Sequence, residues 1–330
     1  MKIFTFFWNR VTAAVSTLLL LIVLIVLFMG YRLAGSGQSE NQTRLNNKHD
    51  YLTQISQHDK TDRTAPNIVF ILYDDMGYGD VGAGAENSLM IATPNINALA
   101  ADGVVLTDFY SPAPVCTPSR AGYLTGRLAA RAGLPNVVFP TGGAEKFLFN
   151  TMLTPKANVR LPAEEITLAE LLSAAGYATG MVGKWHLGDR SPSLPNDMGF
   201  DSYFGALYSN DMQPFALYAD REIVAEAPVD QRFLTERYTQ AATNFIQQHA
   251  EELFFLYFAH NFPHAPLSTR PERSGTSRAG LYGDVLEEID DSVGAIVAAL
   301  ERTGNLDNTL IIITSDNGPW LLEDAGDQRG

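Results

Sequence analysis

The residues with the most chemistry in this sequence are Cys116 and those just after it. Cys116 is the single cysteine among 330 residues, so it has no internal disulfide partner. Pro118 and Ser119 read as a turn and a helix start. Arg120 follows one helical turn after the cysteine, which sets a cation beside its functional group. A helix N-terminus presents free backbone N–H groups and the positive end of the dipole, a setting that favours an anion. The other chemical candidates stand just past short apolar runs. Asp74 and Asp75 follow NIVFILY, Asn67 to Tyr73, and Asp316 and Asn317 follow TLIIIT, Thr309 to Thr314. Lys184 and His186 come at the end of ATGMVGKWHLG, and His260 and His264 follow LFFLYF, Leu253 to Phe258.

These types and positions suggest specific roles. Adjacent carboxylates repel each other unless a cation lies between them, and hard divalent cations prefer oxygen ligands. Asp74, Asp75, Asp316 and Asn317 form an all-oxygen set of four, which suits Ca²⁺, or Mg²⁺, better than Zn²⁺. Lys184 and His186 are two apart on a segment read as extended, so both are expected on one face. Together they can bind an anion and move a proton.

The elements that must position these groups are legible as an alternation of strands and helices. Asn67 to Tyr73 and Leu253 to Phe258 are continuous apolar runs of the kind found in strands buried on both faces of a parallel sheet. Carboxyl ends of such strands are where open α/β sheets place ligands. VVLTDFY, Val104 to Tyr110, is expected to be a strand as well. Helices are expected from Thr93 to Gly103, after Ser119, from Ile166 to Ala175, from Phe233 to His249 and from Tyr282 to Arg302. In the last of these, Glu287, Glu288, Asp290 and Asp291 read as a solvated face.

The ends of the chain differ in composition from the middle. Val11 to Tyr31 is uncharged and almost solid Leu, Ile and Val from Leu18 to Phe28, with Lys2 and Arg10 before it. That length reaches across a bilayer core, and the flanking charge sends the following chain outward. Residues 1–34 are therefore expected to be a signal anchor, with a cleaved signal as the alternative. Residues 35–65 are expected to be a flexible polar tether, and the catalytic domain is expected to run from 66 to 330. The domain is then membrane-anchored on the periplasmic or extracellular side, or secreted if the segment is cleaved. A net charge of −14 argues against a nucleic-acid partner, which needs clustered Lys and Arg. It leaves room for an anionic ester held by a few converging cations.

The stretch CTPSRAGYLTGR closely resembles the sulfatase signature C-x-P-S-R-x-x-x-L-T-G, with Cys116, Pro118, Ser119, Arg120, Leu124, Thr125 and Gly126 in register. With GKWHLG around Lys184 and His186, and the Pro-His-x-Pro context of His264, the chain resembles the sulfatases of the alkaline phosphatase superfamily from Asn67 to Pro319. The resemblance implies an α/β sandwich with a large, mostly parallel sheet between helices, continued by a small C-terminal subdomain that this sequence stops short of. It implies that a maturation enzyme oxidises Cys116 to formylglycine (3-oxoalanine), whose hydrate attacks a sulfate ester of an aryl alcohol or a carbohydrate. It also implies a divalent metal, Ca²⁺ or Mg²⁺, held by Asp74, Asp75, Asp316, Asn317 and the modified Cys116. In this picture Arg120, Lys184 and His264 supply positive charge, and Lys184, His264 and, by a looser match, Ser209 contact the sulfate. His186 helps expel sulfate, and His260 is structural.

The sequence departs from the pattern by ending before a further sulfate-binding lysine, so weak activity or none is expected if Gly330 is a true terminus, and an intact site if the sequence is a fragment of a longer product. Phosphonate or phosphate ester hydrolysis, and an inactive sulfatase-like binding protein, are the alternative functions. Specificity loops such as Asn136 to Arg160 do not reveal the alcohol.

Overall fold

The computed structural model describes residues 14–28, 40–57, 65–82, 90–141 and 158–320. Seven strands form one mixed sheet in the order β5-β4-β3-β2-β6-β1-β7. They are β1 (Asn67–Tyr73), β2 (Ala178–Gly183), β3 (Ser202–Gly205), β4 (Leu217–Ala219), β5 (Glu222–Ala225), β6 (Phe254–Ala259) and β7 (Thr309–Ser315). The five from β3 to β7 in that order are parallel, and among the described strands β4 alone runs the other way, pairing antiparallel with both β3 and β5. Helices cover both faces, giving the mostly parallel α/β arrangement expected. They are α1 (residues 14–28), α2 (Gln42–Ser56), α3 (Pro94–Asp102), α4 (Cys116–Thr125), α5 (Leu168–Ala174), α6 (Leu234–Gln248) and α7 (Gly280–Arg302).

The period of two in β1 sorts its side chains between two cores. Val69, Ile71 and Tyr73 join one apolar cluster with α6 and α7, through residues such as Ile246, Val293 and Ile296. Phe70 and Leu72 join the other, with Ala121 and Leu124 of α4 and Ala169 of α5. Because β1 lies between β6 and β7 and is buried on both faces, its carboxyl end, Asp74, is buried as well. Register then does the positioning. Leu72 pairs with Thr314, and Tyr73 with Ser315, so Asp74 and Asp316 leave neighbouring strands side by side.

Several expectations are corrected by packing. Val104 to Tyr110 is not a strand; the described residues give it no neighbour with which to build a ladder, and Val104 and Tyr110 are largely exposed. Helix α4 begins at Cys116 itself rather than at Ser119. Of the acidic residues expected on a solvated face of α7, Asp291 is exposed and Glu287 half-buried, but Glu288 and Asp290 are not on such a face. Asp290 is buried and accepts hydrogen bonds from the backbone N–H groups of Asn95 and Ile96, satisfying the free donors at the start of α3. Glu288 is buried and accepts from Arg270 Nε at 2.6 Å and from Thr269.

The N-terminal part also departs from the reading of a flexible tether. Within residues 35–65, α2 is a helix capped by Asn41, and its half-buried Leu45, Lys48, Leu52 and Ile55 recur at helical spacing. Lys48 Nζ donates to the carbonyls of Ala163 and Glu165, each at 2.7 Å, and pairs with Glu170 at 2.6 Å. Arg44 and Arg127 both pair with the buried Glu165. Lys48→Ala removes a cation whose three oxygen partners are largely shielded from water. It is expected to lower stability by about 1–3 kcal/mol, read as a lower urea midpoint; an unchanged midpoint would mean that α2 is not docked in solution.

The described part of the apolar run is α1, whose Leu and Val side chains are exposed. Among the described residues no helix is long and apolar enough to cross a membrane. Lys2, Arg10 and the remainder of the expected anchor, including Tyr31, lie outside the described residues, as do 142–157 of the expected specificity loop.

Candidate active site

Cys116 is the first residue of α4 and is buried where the helix N-terminus meets the ends of β1 and β7. One ligand atom from each of Asp74, Asp75, Cys116 and Asp316 can be chosen so that all four lie within 4.8 Å of one another. Two buried cations stand against these acids. Arg120, reached along α4 from Cys116, donates from Nε to Asp316 Oδ2 at 2.8 Å and from Nη1 to the Lys184 carbonyl at 2.7 Å, and its Nη2 lies 3.5 Å from Asp74 Oδ1. Lys184, at the end of β2, donates to Asp74 Oδ2 at 2.5 Å and to Ser209 Oγ at 3.2 Å. Ser209 in turn lies 3.4 Å from His264 Nδ1, and His264 Nε2 lies 3.6 Å from Asp75 Oδ2. Asn317 Nδ2 donates to Asp75 Oδ1 at 2.5 Å. The structure thus joins Asp74, Asp75, Arg120, Lys184, Ser209, His264, Asp316 and Asn317 in one contact network around Cys116.

Charge explains the titration of the cluster. Burial alone would raise the Asp74 carboxyl, but the Lys184 ammonium and the Arg120 guanidinium outweigh it and hold Asp74 far below the usual carboxylate range. Asp316 goes the other way. Burial and the negative charge of Asp74 push it up to about 8, against the pull of Arg120 and Lys184. Burial and Asp74 also raise Asp75. Three carboxylates therefore share two fixed cations, Arg120 and Lys184. Asp74 Oδ1 and Asn317 Oδ1 are buried and accept no hydrogen bond. Orphaned buried oxygens beside excess negative charge fit a hard divalent cation, with Asp74, Asp75, Asp316 and Asn317 as its oxygen ligands.

Burial, followed by the Asp74 charge, raises the Cys116 thiol well above its ordinary value. A thiolate nucleophile needs the opposite shift. Cys116 is therefore poorly placed to act as a sulfur nucleophile itself.

His186 departs from the extended geometry expected of it. Strand β2 stops at Gly183, where φ is +109°, and His186 has φ +60°, so the alternation that would place Lys184 and His186 on one face does not apply. A Cβ at position 183 would stand 1.9 Å from the Ala259 carbonyl oxygen, so only glycine permits this turn. Lys184 reaches Asp74, while His186 Nε2 lies 3.1 Å from the Val138 carbonyl. A carbonyl only accepts, so Nε2 carries the proton and Nδ1 holds the lone pair. Nδ1 is buried without a partner, and burial followed by the charges of Lys184 and Arg120 keeps the ring neutral. This is the state a general base requires. Thr117 fixes His186 to the helix start, donating from Oγ1 to its carbonyl at 3.1 Å.

His260 lies outside the network. It accepts from the Phe262 N–H at 2.9 Å and packs on Tyr238, and burial lowers it to about 3. Two positioning residues escaped the sequence reading. Ser119 donates from Oγ to the Asp316 carbonyl, linking α4 to the end of β7. Asn210 donates to the carbonyls of His264 and Pro266 at 3.3 and 3.0 Å and so holds the loop that carries His264. Ser119 lay inside the motif, where a helix-start reading already explained it; Asn210 had no local signal at all.

The family model for the Sulfatase domain matches residues 66–330, which include every member of this network. The chain belongs to the sulfatase family. It is 43% identical over 275 residues to N-acetylgalactosamine-6-sulfatase of Mus musculus, covering 78% of this chain and 51% of that protein. It is 36% identical over 286 residues to arylsulfatase A of Homo sapiens, covering 78% of this chain and 53% of that one. Among solved structures, Ps i-CgsB in complex with k-i-k-neocarrahexaose superposes with a TM-score of 0.66 at 32% identity, covering 77% of this chain and 59% of that chain. This sulfatase-family chain thus spans about half the length of the relatives it matches.

Proposed function

We propose that this chain carries the nucleophile and metal side of a sulfatase that hydrolyses a sulfate ester of a carbohydrate. The observation that carries the reading is Cys116 at a helix start, in a buried set of three carboxylates and two cations, with its thiol held protonated. Such a cysteine serves as a precursor. Oxidised to formylglycine by a maturation enzyme, it supplies a hydrate whose hydroxyl is a nucleophile toward sulfur. A bound Ca²⁺ supplies Lewis acidity at the same point.

The rest is the work of this chain's own residues. Arg120 and Lys184 offset the charge that gathers when an oxygen nucleophile approaches an anionic ester. Ser209 and His264, joined to Lys184 by hydrogen bonds, line the side on which the sulfate oxygens are held. His186, neutral with Nδ1 free, takes the proton needed for sulfate release. A carbohydrate alcohol is favoured because relatives are named for N-acetylgalactosamine 6-sulfate and a similar structure holds a neocarrahexaose. The apolar run from Val11 and its positive flank support a domain held outside the cytoplasm by a membrane anchor.

Mass spectrometry of the peptide containing Cys116, from protein made in its own cell envelope, tests the reading. The change from –CH₂SH to –CHO loses about 18 Da. That loss is the expected result, and an unmodified thiol at full occupancy would sink the proposal.

A further inference from the structure

Every group placed to meet the sulfate is buried, from Arg120 and Lys184 to Ser209, His186 and His264. A sulfate that reaches these groups leaves the ring of its sugar ester to extend toward the surface beside them. Trp320 stands there. It follows Asn317 by three residues, and its indole lies against the His264 ring, with centroids 5.2 Å apart and planes at 44°. The preceding Pro319 packs on the loop after β1: a Cβ at Gly77 would lie 3.2 Å from Pro319 Cγ. The indole contacts a sulfate-side residue, yet it remains 47% exposed. Ligand sites combine a few convergent polar groups with apolar and aromatic walls. Here the polar groups are buried and the aromatic face is at the rim.

We infer that Trp320 is the platform on which the sugar ring of the substrate stacks, its apolar C–H face on the indole, while the sulfate reaches inward to Lys184 and His264. This rests on the sulfate-ester reading above and adds the residue that selects a ringed alcohol. Tryptophan suits the task because it offers a large, rigid apolar face at little entropic cost.

The test is ligand-observed NMR titration of the full chain with galactose 6-sulfate and with methyl sulfate, which carries the same anion and no ring. In Trp320→Ala, galactose 6-sulfate is expected to bind about tenfold more weakly, which is about 1.4 kcal/mol, while methyl sulfate affinity is unchanged. Trp320→Phe should recover most of the loss. Trp320→Leu, which keeps bulk without a flat ring, should lose affinity for galactose 6-sulfate alone, and it serves as the second variant should alanine disturb folding. Equal losses for both ligands in Trp320→Leu, or no loss for either, would overturn the inference and leave the sulfate-ester reading standing. Failure of the wild-type chain to bind either ligand would remove that reading and this inference with it.

Discussion

Replacing Cys116 by alanine is expected to lower sulfate-ester turnover by at least about 10⁴-fold, the scale on which loss of an activated nucleophile acts, while the fold stays intact. The second half of this expectation follows from packing. Cys116 is the first residue of α4, its helical backbone suits alanine, and its Sγ is not among the groups that hold the helix in place. Those are Ser119 on the Asp316 carbonyl, Thr117 on His186, and Arg120 between Asp74 and Asp316. The variant therefore keeps its cations and its oxygen ligands and loses only the precursor of the nucleophile. Turnover of an aryl sulfate, compared with wild-type protein matured in the same host and accompanied by a thermal melt, reads both halves. Retention of even a tenth of wild-type turnover would show that the nucleophile is another group.

The second large effect is expected at Arg120. It is completely buried, and it offsets the charge of Asp74 and Asp316 while tying the Lys184 carbonyl to α4. Arg120→Met keeps much of the volume and removes the cation, so three buried carboxylates then face Lys184 alone. Breaking a buried pair in this way costs about 3–5 kcal/mol, and the loss should appear in the metal-free protein as a lower denaturation midpoint. Calcium should recover part of it, because a divalent cation replaces the missing charge; at a concentration of 100 times its Kd the recovery is about 2.7 kcal/mol. The gain on adding calcium should exceed that of the wild type measured alongside. A metal-free variant as stable as the wild type would mean that the carboxylates are already neutral by protonation. A variant indifferent to calcium would remove the metal from Asp74, Asp75, Asp316 and Asn317.

What the order of residues determined by itself is local. Apolar runs of six or seven residues ending in Asp, Lys or His are strands that stop at a polar end, because a buried strand cannot continue through charge. That made Asp74, Asp75, Asp316 and Asn317 legible as candidate ligands. The density of CTPSRAGYLTGR likewise marked Cys116 and Arg120, since turn, helix start and cation are neighbours in sequence. Asn210 was not legible, because its partners, the carbonyls of His264 and Pro266, are backbone groups more than fifty residues away. The burial of Glu288 and Asp290 was hidden for a related reason: an acidic helix face reads as solvated until another helix start or a loop arrives to donate hydrogen bonds to it. His186 shows the limit of periodicity, which holds only while φ and ψ stay extended, and Gly183 and His186 itself leave that region.

Tertiary structure alone decided that β1 and β7 are neighbours. Their pairing, Asn67 with Thr309 through Tyr73 with Ser315, joins segments more than two hundred residues apart. No local preference encodes it; it follows from which apolar faces bury one another once the chain closes. That closure turns four separate polar strand ends and one helix start into a single buried cluster of charge. Once the groups share a medium from which water is excluded, Asp74 is held ionised, Asp316 is driven toward its protonated form, and the Cys116 thiol keeps its proton.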